Sequence, residues 1–232
     1  MKRILQLILL LCFSIFSEAQ IITGSTGLLN TPSAEMQEDG TFMFGANFLP
    51  EEMTPDRFNY DTGNYFLNLS FLPFLDVTYR CTLFKRSWSG KYTGQDRTFG
   101  LRAQLIKEKK YMPAIVFGGN DLYSEESDGS NQHLGALYAV ATKNIRCNYF
   151  SIGISIGHGF KAYNGSQIDG FFGGISISPG KRKAISMIAE YDSNNVNLGA
   201  SVLLFKHLYL HSFLYDSRYP VGGFAYKIYL KR

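Results

Sequence analysis

The feature that most narrows the fold of this chain is a two-residue alternation that recurs from residue 41 almost to the end. Successive side chains of a strand point to opposite faces, so a period of two reads as strand. Phe42, Phe44, Ala46 and Phe48 share one face. Tyr65, Leu67, Leu69 and Phe71 alternate with Phe66, Asn68 and Ser70, and Val77, Tyr79, Cys81 and Leu83 with Asp76, Thr78, Arg80 and Thr82. Phe99, Leu101, Ala103 and Leu105 alternate with Thr98, Gly100, Arg102 and Gln104, and Phe150, Ile152, Ile154 and Ile156 with Ser151, Gly153, Ser155 and Gly157. Val196, Leu198, Ala200, Val202 and Leu204 alternate with Asn197, Gly199 and Ser201, and Phe224, Tyr226, Ile228 and Leu230 close the series. Less regular runs lie near 112–120, 132–142, 169–178, 184–191 and 207–215. The sum is about twelve strands of roughly ten residues, which is the length a membrane strand needs and the even number bacterial barrels use.

The second face decides between two all-β folds. A soluble sandwich also alternates, but its solvent face carries many long charged side chains. Here the second face is mainly Gly, Ser, Asn and Thr with a few Arg, and charged residues make up only 18% of the chain against 15% aromatic. Small polar residues suit a crowded barrel interior. The expected fold is therefore all-β: an antiparallel transmembrane β-barrel of about 12 strands, preceded by an irregular N-terminal segment. No stretch beyond the start is long and apolar enough for a membrane helix. The net charge of +4 is mild and spread out, which gives no case for nucleic acid.

The start reads as a secretory signal. Lys2 and Arg3 precede an apolar run from Ile4 to Phe16, and Ser17-Glu18-Ala19 offers small residues where a signal peptidase reads. The expected organisation is a signal peptide over 1–19 cut after Ala19, an irregular segment over 20–40 and a barrel over 41–232. Cys12 follows Leu9-Leu10-Leu11, which is not a lipidation context. Cys81 and Cys147 fall on strands placed far apart and are expected to stay unbonded. A Gram-negative outer membrane is the expected location.

Connections also alternate. Short turns are expected at 72–74, 107–111, 143–146, 179–183 and 205–206, and longer loops at 50–62, 86–96, 121–131 and 159–168, with a short one near 192–194 and a medium one at 216–221. Barrels of this kind have short periplasmic turns and longer outer loops, so both termini fall on the short-turn side. Four of the short turns are basic, with Lys107, Lys109, Lys110, Lys143, Arg146, Lys181, Arg182, Lys183 and Lys206, whereas several long loops are acidic, notably at Asp121, Glu125, Glu126 and Asp128. Membrane lipid and lipopolysaccharide are the expected surroundings, with divalent cations screening the acidic rim.

The most distinctive text runs from Gly24 to Thr41: Gly24-Ser25-Thr26-Gly27-Leu28-Leu29-Asn30-Thr31-Pro32-Ser33-Ala34, then Met36 and Asp39-Gly40-Thr41. It resembles the opening motif of the YjbH family of outer-membrane barrels, in a Gly-x-x-Gly-Leu, an Asn-Thr-Pro-x-Ala, a Met and an Asp-Gly. Gly24, Gly27, Leu28, Asn30, Pro32 and Ala34 carry the likeness. The resemblance implies a part in exopolysaccharide or capsule export, with polysaccharide export proteins as partners. Physically, the motif combines glycines free to adopt positive φ, a stiffening proline and few charges. It suits either a plug folded into the lumen or an ordered lead-in along the periplasmic rim.

Candidate chemistry is sparse. Arg80, Arg102 and Lys227, with Glu190, are expected inside the lumen, as a mildly cationic site for acidic sugars or as a structural ion-pair network. His207 and His211 are four residues apart, which on a strand spans about 13 Å, too far for one metal ion. His133 and His158 have no Gly-x-Ser-x-Gly elbow beside them. Neither metal, cofactor nor catalysis is expected. A passive channel, or a barrel enzyme acting on lipid, are the competing readings.

Overall fold

The computed structural model describes residues 20–54, 59–85, 90–124, 134–161, 166–180 and 184–230. Twelve strands among them form one sheet: β1 (Thr41–Leu49), β2 (Thr62–Leu72), β3 (Leu75–Phe84), β4 (Gly94–Ile106), β5 (Ala114–Ser124), β6 (Ala136–Arg146), β7 (Phe150–Phe160), β8 (Gly170–Pro179), β9 (Ile185–Tyr191), β10 (Val196–Leu204), β11 (Leu208–Tyr215) and β12 (Tyr219–Tyr229). Each pairs antiparallel with its sequence neighbours, and β1 pairs with β12, from Thr41 opposite Tyr229 to Phe48 opposite Gly222. The barrel is closed and has no free edge.

Alternation divides the wall into two chemically distinct faces. On β7, Ile152, Ile154 and Ile156 face outward while Ser151 and Ser155 are buried within; on β10, Leu198 faces outward and Ser201 inward. Exterior side chains such as Ile156 (64% exposed) and Phe171 (73%) would be costly in water and are stabilised in lipid. Tyr111 and Tyr149 project at the short-turn rim, at the level where barrels carry an aromatic girdle. The chain is thus a transmembrane barrel. No helix among the described residues is long and apolar enough to cross a membrane.

Residues 20–40 lie inside the wall, and nearly all of them are buried. They enter β1 at the same mouth as the β2–β3 turn, where the Gly40 amide donates to the Ser70 carbonyl and the Leu230 amide to Gly40. The last described residues leave by this mouth too. The core consequently sits in the lumen. Ile22, Leu28 and Leu29 of the segment pack with Leu49, Ile188, Phe213 and Val221, while Ala34 and Met36 pack with Val116, Tyr138 and Phe172.

Several boundaries differ from the sequence expectation. The turn expected at 143–146 is strand, because β6 runs on to Arg146 with Arg146 opposite Ser151, and the turn is 147–149. The stretch expected as loop from 121 begins as strand: β5 continues to Ser124 through a register shift against β4. Asp121 takes a positive φ of 54° there and points inward. β4 likewise starts at Gly94, which puts Asp96 inside, and β12 starts at Tyr219, leaving a tight turn at 216–218. That turn and the one at 205–207 each hold two consecutive residues at positive φ, Asp216-Ser217 and Phe205-Lys206, the geometry that suits the right-handed twist of two-residue hairpins. Neither contains the Asn-Gly or Asp-Gly that would have signalled it. Glu125, Glu126, Ser127, Asp128, His133 and Lys181–Lys183 lie outside the described residues, as does the expected signal peptide.

Candidate functional site: a plugged lumen and its basic mouth

The N-terminal segment folds as a small hairpin, with bridges from Gln20 to Thr26 and from Gly27 to Pro32. Gly24 sits at φ +92°, and a Cβ there would run into the Phe66 ring; a Cβ on Gly27 would meet Ile21 and the Thr31 carbonyl. These are positions where only glycine fits without displacement. Leu28 donates its amide to the Thr31 carbonyl at 2.8 Å, tightening the turn at 28–31. That turn aims its amides at one carboxylate. Leu29, Asn30 and Thr31 donate to Glu190 of β9 at 3.0, 2.7 and 3.2 Å, and the Thr31 hydroxyl adds a bond of 2.8 Å. Successive amides converging in this way form an anion nest, and the anion is supplied by the wall. Asn197 of β10 donates at 2.9 Å to the Glu190 oxygen that also accepts the Asn30 amide, and holds the carboxylate in place.

Arg102 on β4 grips the other arm. It donates to the carbonyls of Thr26 (2.6 Å), Ser33 (2.6 Å) and Glu35 (2.9 Å), and to the Thr26 hydroxyl. β4 and β9 are five strands apart in a ring of twelve, so Arg102 and Glu190 hold the hairpin from nearly opposite walls. Both bonds are charge-assisted and desolvated, the stronger class of hydrogen bond. The remaining motif residues are tied in as well. Asn30 donates to Asp192 at 2.8 Å and accepts from Gln167 at 2.5 Å. The Ala34 amide donates to Thr142 at 2.7 Å, and its carbonyl accepts from Gln104 at 3.0 Å. Asn47 and Asn64 both donate to the Ile22 carbonyl.

All four lumen residues singled out in the sequence are inside and buried, but each engages a different partner. Arg80 pairs with Asp121 at 2.6 Å, Arg102 and Glu190 hold the plug, and Lys227 donates to Gln37 at 3.0 Å. Asp121 was missed because the β5 bulge that aims it inward leaves no trace in the alternation. Asp76 and Asn197 were on the inward face and legible as such. His211 is buried with both ring nitrogens unpartnered, His158 meets Phe171 edge to face at the outer wall, and His207 contacts the Lys227 carbonyl. The three are dispersed, and no cluster that would hold a metal ion occurs among the described residues.

At the short-turn mouth a cavity of about 750 Å³ opens below the plug. Its floor is the exit stretch from Ala34 to Asp39, and its lining carries six cationic side chains (Lys107, Lys109, Lys110, Lys143, Arg146 and Lys227) against four carboxylates. Glu108 organises one side. It accepts from the Asn144 amide (2.9 Å) and side chain (3.0 Å) and from Lys143 (3.0 Å), while Asn144 also donates to Glu35 of the plug at 2.9 Å. Partial burial pushes the Glu108 carboxyl up, but the bonds from Asn144 and Lys143 outweigh it and hold the group below its ordinary range. The mouth therefore presents fixed positive charge around a floor made of plug.

The model of the family described as "Exopolysaccharide biosynthesis protein YbjH" matches residues 20–200, which takes in the plug and most of the wall. The chain belongs to the YjbH family. A curated relative, the "Uncharacterized lipoprotein YjbH" of Escherichia coli K12, is 27% identical over 142 residues, 58% of this chain and 18% of the relative. The chain thus spans less than a fifth of that YjbH protein's length. Among solved structures, outer membrane phospholipase A of Escherichia coli aligns at 10% identity and a TM-score of 0.38, over 82% of this chain and 95% of that one. The calcium-bound phospholipase dimer of Salmonella typhi aligns at 12% and 0.37, over 81% and 88%. Likeness at that level carries no activity or residue role across.

Proposed function

We propose that this YjbH-family chain is a non-enzymatic, plugged barrel of the Gram-negative outer membrane that assists export or assembly of surface polysaccharide. In this reading the short turns face the periplasm, and the basic mouth is where an acidic glycan or its export proteins meet the barrel. The observation that carries it is the plug itself, bound to opposite walls by Arg102 and Glu190. A filled lumen argues against a passive channel, and the family description points to exopolysaccharide.

The test is surface polysaccharide output in a strain lacking the gene, complemented by the wild-type chain or by one carrying Lys107→Glu, Lys109→Glu and Lys110→Glu. Output falls on deletion, returns with the wild type and returns only in part with the charge-reversed mouth. Unchanged output on deletion overturns the proposal. Steady conductance of the wild-type protein in a planar bilayer favours the passive channel instead.

A further inference from the structure

Gln20 occupies an unusual position. It is 0% exposed, and its amide donates to the hydroxyl of Tyr209, itself fully buried, at 3.0 Å. The side-chain Nε2 and Oε1 of Gln20 are buried without any hydrogen-bond partner. The sequence places a signal-peptidase site between Ala19 and Gln20. If the cut falls there, the buried nitrogen is the α-amine of the mature chain. A free α-amine is protonated near neutral pH, and an unpaired ammonium in a desolvated site is strongly unfavourable. Lys227 aggravates this, its Nζ lying 5.8 Å from the centre of the same Tyr209 ring, and the Glu35 carboxylate, which also acts on Tyr209, offsets it only in part.

We propose that the mature chain begins at Gln20 and that this residue is cyclised to pyroglutamate. The α-nitrogen attacks Cδ of its own side chain, the N–Cδ bond forms, the Cδ–Nε2 bond breaks, and Nε2 leaves as ammonia with the proton released by the α-amine. No oxidant, reductant or second substrate is consumed. The lactam nitrogen keeps one N–H for Tyr209, carries no charge, and eliminates the orphaned Nε2. The reaction belongs before insertion of the plug, when the N-terminus is accessible. The inference is independent of the polysaccharide role.

The test uses the barrel purified from outer membranes, denatured at lysis in reagents that dimethylate every free amine before digestion. The expected N-terminal peptide starts at residue 20, is unlabelled at its α-nitrogen, and is lighter than the Gln form by one ammonia. A dimethylated Gln20, or a chain that starts elsewhere, overturns the proposal. Gln20→Asn keeps the amide but cannot close a five-membered lactam. It is expected to carry a free amine and to lose protease protection across residues 20–40. Full protection with a free amine overturns the claim that burial at this site requires a neutral nitrogen.

Discussion

Glu190 and Arg102 show how two side chains hold a segment that offers mostly backbone. Removing the Glu190 carboxylate strands three amides and a hydroxyl in a closed interior. Glu190→Ala should therefore weaken the plug by about 2–5 kcal/mol, read as faster proteolysis within residues 20–40 while the wall stays folded. Wild-type protection in that variant would show that the apolar contacts of Leu28 and Leu29 suffice alone. Gly24→Ala places a methyl in the Phe66 ring at a φ that L-residues avoid, and a drop in thermal stability is the expected result. Part of this was visible in the sequence. Arg102 reads as inward because it shares its phase of the strand with Thr98, Gly100 and Gln104. The partners were not visible, since what Arg102 and Glu190 recognise is largely backbone, which has no sequence signature. Asp121 escaped because two-residue counting fails across a bulge.

Strands were the most legible elements, since each carries its own period of two; their ends were the least. Hairpin turns without glycine and strands that run on into charged residues, as β6 does to Arg146, obey hydrogen bonding rather than hydropathy. Facing is testable on β7: Ile154→Arg puts charge into lipid and should cost about 2–4 kcal/mol near the midplane. Equal folding of that variant would place the lipid on the other face. The 107–113 turn offers a pH test. Glu108 has a folded pKa below its ordinary, unfolded value, held there by the bonds from Asn144 and Lys143. Its contribution is therefore complete above that value and is lost as pH falls through the lower, folded one. Acidification should loosen this turn, seen as cleavage after Lys109 or Lys110 by an acid-tolerant protease, and Glu108→Gln should be loose already at neutral pH.

For the molecule as a whole, the reading proposed above turns the mouth through which both ends of the barrel domain pass toward the periplasm. A cysteine at Glu52, exposed on the opposite rim, should react with an impermeant reagent in intact cells, and one at Lys109 should not. The reverse pattern would put the basic mouth outside the cell and remove it from any periplasmic partner. The groups that retain the plug are dispersed along the chain: Asn47 and Asn64, Arg102 and Gln104, Thr142, Glu190 and Asp192, Tyr209 and Lys227. The plug is synthesised before all of them. While the chain is being secreted, residues 20–40 reach the periplasm with Arg102 still to come and Glu190 some 150 residues behind. A glycine-containing stretch whose only charges are Glu35, Glu38 and Asp39 near its end must wait for its ligands until most of the chain has followed it, so its capture is a late event in assembly of the barrel.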